Sequence, residues 1–183
     1  MRNNLIFVLI AFVGIFGCKN STLNETENTN SENSSKPTLD KRHQEVFDEL
    51  KRNDSLLFEI GFNQCDTNQV RILISDNFEF YHDQAGITNS KELFIQSISG
   101  LCTMTYRPIR EIDEKSLEVY ILRENGKIYG AIQNGKHRFY GEEENRAKYL
   151  TSTADFTHLW IIEEGNWKLK KVFSYNHREP ENE

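Results

Sequence analysis

Histidine is the side chain whose ordinary pKa lets it take up and release a proton near neutrality. His82, His137, His158 and His177 each lie in or beside a stretch of strand-forming residues. Strand alternation puts His158 on one face with Phe156 and Trp160, His82 with Phe78 and Phe80, and His177 with Tyr175. Faces of this kind, turned inward, would make an apolar pocket with converging imidazoles, suited to proton transfer or to gripping a polar ligand head. His82-Asp83 is the sharpest pair. Each histidine alone also reads as a hydrogen-bonded structural residue, and Asp83 as a turn residue ahead of Gln84-Ala85-Gly86. Tyr129 and Tyr140 could point hydroxyls into the same space. Trp160 and Trp167 supply apolar bulk, and Arg138 fits a surface ladder with Glu142 to Glu144. No HxH or HxxxH spacing occurs, so a metal site from His82, Asp83, His137, His158 and His177 is not expected, although ligands from separate strands can converge; no cofactor is expected.

The elements that must hold these residues fall into two blocks. From Leu39 to Asn63 apolar residues recur at helical spacing, with an interruption near Asn53-Asp54-Ser55. Asp66 and Gln69 have the types and spacing of a capping box before a short second helix, and Ser90 can cap a third whose apolar side is Leu93, Phe94, Ile98 and Leu101. Between these helices, Asn77 to Asp83 reads as a strand. After Cys102 strands take over, at Ile109 to Ile112, Leu117 to Leu122, Lys127 to Tyr140, Thr153 to Ile162 and Trp167 to Tyr175. Turns fall at Asn125-Gly126 and Glu164-Gly165-Asn166. Asn134-Gly135 is either a turn or a bulge within one long bent strand, and the strand-like flanks favour the bulge. Helices first and an antiparallel sheet afterwards is the order of an α+β domain.

The 183 residues fit one domain, and 12 Phe with 7 Tyr can fill a core. A net charge of −6 without a block of Lys or Arg argues against a nucleic-acid partner. Arg2 followed by an apolar run from Leu5 to Phe16 reads as a secretory signal core, too short for a comfortable membrane span. The run ends at Gly17-Cys18, which resembles the lipobox of bacterial lipoproteins and implies removal of residues 1–17 and acylation of Cys18. Residues 18–37 are polar and read as a disordered tether, residues 38–178 as the folded domain, and 179–183 as a frayed tail. The expectation is an exported, lipid-anchored protein of the outer membrane facing the periplasm, with the cell surface left open. With Cys18 acylated, Cys65 and Cys102 remain as an even pair in an oxidising compartment, open to a disulfide or to two buried thiols.

Six segments carry a family resemblance: Phe62-Asn63-Gln64-Cys65-Asp66, Phe78-Glu79-Phe80-Tyr81-His82-Asp83, Gly130-Ala131-Ile132-Gln133, His137-Arg138-Phe139-Tyr140, Phe156-Thr157-His158-Leu159-Trp160 and Trp167-Lys168-Leu169. Together they resemble the SnoaL-like branch of the nuclear transport factor 2-like superfamily, to which ketosteroid isomerase and scytalone dehydratase also belong. The resemblance implies a cone, with three N-terminal helices packed on a strongly bent, mainly antiparallel sheet and a blind pocket between them. It puts both cysteines at one end of the helical layer, favouring the disulfide. It implies pairing of two copies through the outer face of the sheet. In ketosteroid isomerase the general base follows the strand matched here by Asp83, or by His82 without a one-residue gap. Its oxyanion-stabilising Tyr is matched by Phe58, whose ring cannot donate, so that isomerase activity is not expected.

The expected function is a membrane-anchored domain that binds a small apolar or amphipathic ligand. Its pocket is expected to be lined by Phe58, Phe80, His82, Tyr129, His137, His158, Trp160, Tyr175 and His177. The alternative is an enzyme of the same fold, doing proton transfer or hydrolysis with His82 or Asp83 as general base.

Overall fold

The computed structural model describes residues 36–180, with side chains from Lys41 onward. The signal segment, Cys18 and the tether as far as residue 35 lie outside the described residues. Helix α1 runs Lys36–Ser55 and continues as a π-helical turn, Leu56–Phe62. Val46, Leu50 and Leu57 face the core from this stretch, and so do Asn53 and Asp54. The expected interruption is thus a widening of the helix rather than a break. Its signature is Asn63 N–H donating to the Phe58 carbonyl five residues back at 2.7 Å. Gly61 closes the turn where α2 crosses it, since a Cβ there would lie 2.5 Å from Val70 Cγ2.

Helix α2, Thr67–Leu73, starts where the Asp66 side chain accepts from the backbone N–H of Asn68 and Gln69, both at 3.1 Å. Only half of the capping box forms, because the Asp66 N–H donates to the Ile60 carbonyl instead. Helix α3, Lys91–Leu101, is capped by Ser90 as expected. Its core face differs by one position from the sequence reading, with Leu93 exposed and Ile95 buried beside Phe94 and Ile98. A Cys65–Cys102 disulfide, Cα to Cα 6.0 Å, joins the loop before α2 to the end of α3.

Among the described residues six strands follow or interleave: β1 Ile74–His82, β2 Gly86–Thr88, β3 Arg107–Glu124, β4 Lys127–Glu143, β5 Arg146–Glu163 and β6 Asn166–Arg178. They form one α+β mixed sheet in the order β2-β1-β6-β5-β4-β3. Every pair is antiparallel except β1 with β6. The two foreseen turns close with positive φ at Asn125, Gly126, Glu164 and Gly165.

Asn134-Gly135 is neither a turn nor itself bulged. Both residues pair in continuous register with Thr157 and Phe156 of β5, while the extra residues sit opposite, in β3 between Asp113 and Glu118. Gly135 is required by packing: a Cβ there would stand 2.7 Å from the Phe156 ring. Further register shifts at Phe139, Thr153 and Leu159 bend the long strands, as bulges do. The inner face carries Phe78, Ala131, Trp160, Leu169 and Val172 against Leu50, Leu57, Val70 and Ile98 of the helices.

Candidate functional site

Between the helices and the inner face of the sheet lies a cavity of about 330 Å³. Rings and aliphatic groups form most of its wall, among them Phe58, Phe62, Phe80, Phe94, Phe139 and Ile98. A polar strip crosses that wall. It comprises Arg110 of β3, His137 of β4, His158 of β5, Ser174 and His177 of β6, and His82 at the end of β1.

At the deep end, Asp54 and Arg110 form a two-pronged ion pair at 2.8 and 3.2 Å, with both side chains almost fully buried. The Arg110 guanidinium lies 3.7 Å over the Phe58 ring, and its backbone is clamped on both sides by the Asn63 side-chain amide. Burial raises the Asp54 pKa against the lowering influence of Arg110. The remaining directed N–H, Arg110 Nε, donates to His137 Nδ1 at 3.0 Å. Burial, and then the charge of Arg110, hold the His137 pKa at about 2, so this ring is neutral with its proton on Nε2. His158 is pushed well down by burial, Arg110 and His137. Gln133 Oε1 already accepts from Trp160 Nε1 at 2.8 Å, so the 3.3 Å contact from His158 Nδ1 is a donation, and the Nε2 of His158 is the bare nitrogen. Gln133 Nε2 is buried without a partner among the described residues.

At the rim, Asp83 accepts twice from His177, from its backbone N–H at 3.2 Å and from Nδ1 at 2.5 Å. Partial desolvation would raise the Asp83 pKa, but these two bonds outweigh it and hold the carboxyl below its usual value. With its proton on Nδ1, His177 turns the Nε2 lone pair toward Ser174 Oγ, 3.4 Å away. His82 stacks on His177 with ring centres 4.2 Å apart. Its Nδ1 accepts from the backbone N–H of Gln84 and Ala85, which leaves Nε2–H as its free edge. Desolvation and His177 lower the His82 pKa. The acceptor nitrogen of His82 is therefore occupied, and the 3.4 Å approach of Asp83 to it is not an ion pair.

Ser174 joins the two ends. His137 Nε2 lies 3.5 Å from the same Ser174 Oγ that His177 Nε2 approaches. Since Arg110 can only donate and the Asp83 carboxylate only accept, the hydrogen bonds run one way, from Arg110 through His137, Ser174 and His177 to Asp83.

Three ligand atoms of His82, Asp83 and His177 lie within 4.8 Å of one another. Near-parallel stacked imidazoles cannot both aim an in-plane lone pair at one ion, and both Nδ1 atoms already have partners, so the arrangement does not suit a metal.

Of the pocket residues expected from sequence, the structure brings Phe58, Phe80, His82, His137, His158 and His177 to the cavity. Three lie elsewhere. Tyr129 is on the exposed outer face, because its neighbours Ile128 and Gly130 take the inward positions. Trp160 is core, wholly buried beneath Gln133. Tyr175 lines an open concavity on the outer face with Tyr81, Ile87 and Phe173. The β6 alternation fails at Asn176, whose φ of +59° lets Ser174 and His177 both face inward, three residues apart. Asp54, Arg110 and Ser174 were not foreseen. Asp54 was signalled by its place in the helical stripe of Val46, Leu50 and Leu57.

No protein-family model matches the chain, and no curated protein matches it. Solved structures do match. An NTF2-like protein from Cytophaga hutchinsonii superposes with a TM-score of 0.54 at 16% identity, over 69% of this chain and 94% of that one. A protein of unknown function from Mycobacterium tuberculosis gives 0.63 at 9%, over 79% of each chain. A hexachlorocyclohexane dehydrochlorinase gives 0.56 at 16%, over 80% and 93%. The fold is thus the nuclear transport factor 2-like fold, shared with proteins of which some are enzymes.

Proposed function

We propose that this domain binds one small, largely apolar molecule with a single polar end, and that it does so tethered to a membrane. The ring-walled cavity crossed by a single polar strip carries the reading. At about 330 Å³ it sits at the lower end of the usual range for ligand sites, about 300 to 1,000 Å³. Ring faces and aliphatic groups would take the apolar body, and neutral imidazoles the polar end. The anchor rests on the Leu5 to Phe16 run followed by Gly17-Cys18. Native mass spectrometry of gently purified protein is expected to show a co-purifying species of low mass. A bare chain that also fails to enhance the fluorescence of N-phenyl-1-naphthylamine would overturn the binding reading. Detergent-phase partitioning that is lost in Cys18→Ala tests the anchor.

A second reading, proton abstraction from a bound substrate, is favoured by the Asp83 and His177 pair. On this reading the base is His177 Nε2 rather than His82 or Asp83, with Asp83 fixing its tautomer. The reading is supported by a protein of like fold that is a hexachlorocyclohexane dehydrochlorinase. Deuterium exchange into a bound carbon acid, abolished in His177→Asn, is the matching measurement.

A further inference from the structure

We infer that Ser174, His177 and Asp83 form a nucleophilic triad, and that the cavity hydrolyses esters of small apolar acyl groups. This rests on the reading that the cavity takes an apolar molecule, and it adds a covalent step to it. Ser174 Oγ lies 3.4 Å from His177 Nε2, and the opposite ring nitrogen is 2.5 Å from Asp83. These are the relations of nucleophile, base and orienting carboxylate by which such triads are recognised on unrelated folds. The nucleophile distance is slightly long for the resting state, as unliganded sites often are. Ser174 itself is on the cavity wall.

The triad needs a donor where charge develops on the substrate carbonyl oxygen, and His137 stands at that place. Its Nε2–H lies 3.5 Å from Ser174 Oγ. Arg110 Nε–H bonded to its other nitrogen keeps the ring in the donating tautomer. A neutral imidazole so held is an oxyanion donor that cannot compete for the serine proton.

The step balances as follows. As Oγ bonds to the carbonyl carbon, its proton passes to His177 Nε2, and the carbonyl electron pair becomes the oxyanion facing His137. Collapse breaks the ester C–O bond, and the leaving alkoxide takes the proton from His177, giving an alcohol and an acyl-serine. Water, deprotonated by His177, releases the acid and restores Ser174.

The test uses the full chain with octyl fluorophosphonate and p-nitrophenyl butyrate. One phosphonyl adduct mapped to Ser174 is expected, absent in Ser174→Ala and slowed by roughly 10²-fold or more in His177→Asn and Asp83→Asn. His137→Phe should lower kcat for the butyrate ester by about 10²-fold with KM little changed. If folded protein binds N-phenyl-1-naphthylamine but gives no adduct and hydrolyses the ester no faster than Ser174→Ala, the triad is refuted and the binding reading stands. If the fluorescent probe does not bind either, the binding reading falls with it. Unchanged melting of Ser174→Ala, with Ser174→Cys restoring labelling by iodoacetamide at that position, separates loss of the nucleophile from loss of the fold.

Discussion

The two ends of the polar strip use the same residue types to opposite effect. At the deep end an aspartate and two histidines are sealed beside Arg110, and burial keeps both rings uncharged. At the rim Asp83 and His82 are only partly screened beside the buried His177 ring, and Asp83 stays ionised through its two bonds from His177. Chemical identity is therefore a poor guide to role. Desolvation turns the first set into a rigid electrostatic floor, while in the second Asp83 and His82 keep residual contact with water.

Removing Arg110 should break the deep end outright. Arg110→Met leaves Asp54 buried without its partner, and urea unfolding is expected to show a loss of about 3 to 5 kcal/mol. Asp83→Asn, its counterpart at the rim, should shift the urea midpoint far less. Equal losses would erase the distinction. Asp54→Asn together with Arg110→Met should recover part of the loss in a double-mutant cycle.

Next in size is the acid response. His137 and His158 have folded pKa values below their unfolded ones, so the unfolded chain binds more protons in that window. Their contribution is present above about pH 6.5 and is lost as pH falls, with a slope of up to about 1.4 kcal/mol per unit for each ring. Asp54, shifted upward, partly offsets this at the acid end. In imidazole NMR the deep rings should show no titration while the protein stays folded, whereas His82 should titrate below the ordinary value.

Gly135→Ala probes the sheet between the two ends. It forces a methyl against Phe156 and should cost about 1 to 3 kcal/mol. The smallest effect belongs to the outer face: Tyr129→Ser should leave stability within about 0.5 kcal/mol and ligand binding unchanged.

Much of the scaffold was legible because its signals are local. Asp66 and Ser90 cap the helices expected of them, and the Asn125-Gly126 and Glu164-Gly165 turns close where their residue types require. Alternation correctly grouped Phe156, His158 and Trp160 on β5. It failed on β6, where one left-handed residue, Asn176, parts His177 from Tyr175, which alternation put on the same face. The deep ion pair was hidden for another reason. A charged residue in an amphipathic pattern reads as surface unless its partner is known, and Arg110 lies 56 residues from Asp54.

The parallel pairing of β1 with β6 sets the order in which the molecule can be built. Strands β3 to β6 meet through short reversals and can zip as they are made, but β1 must wait for the last strand before it has a neighbour on that side. Asp83 and His177, 94 residues apart, therefore come together only on that late closure. A partly folded chain holds the meander without the rim, so the Asp83 and His177 pair is assembled only once the sheet is complete.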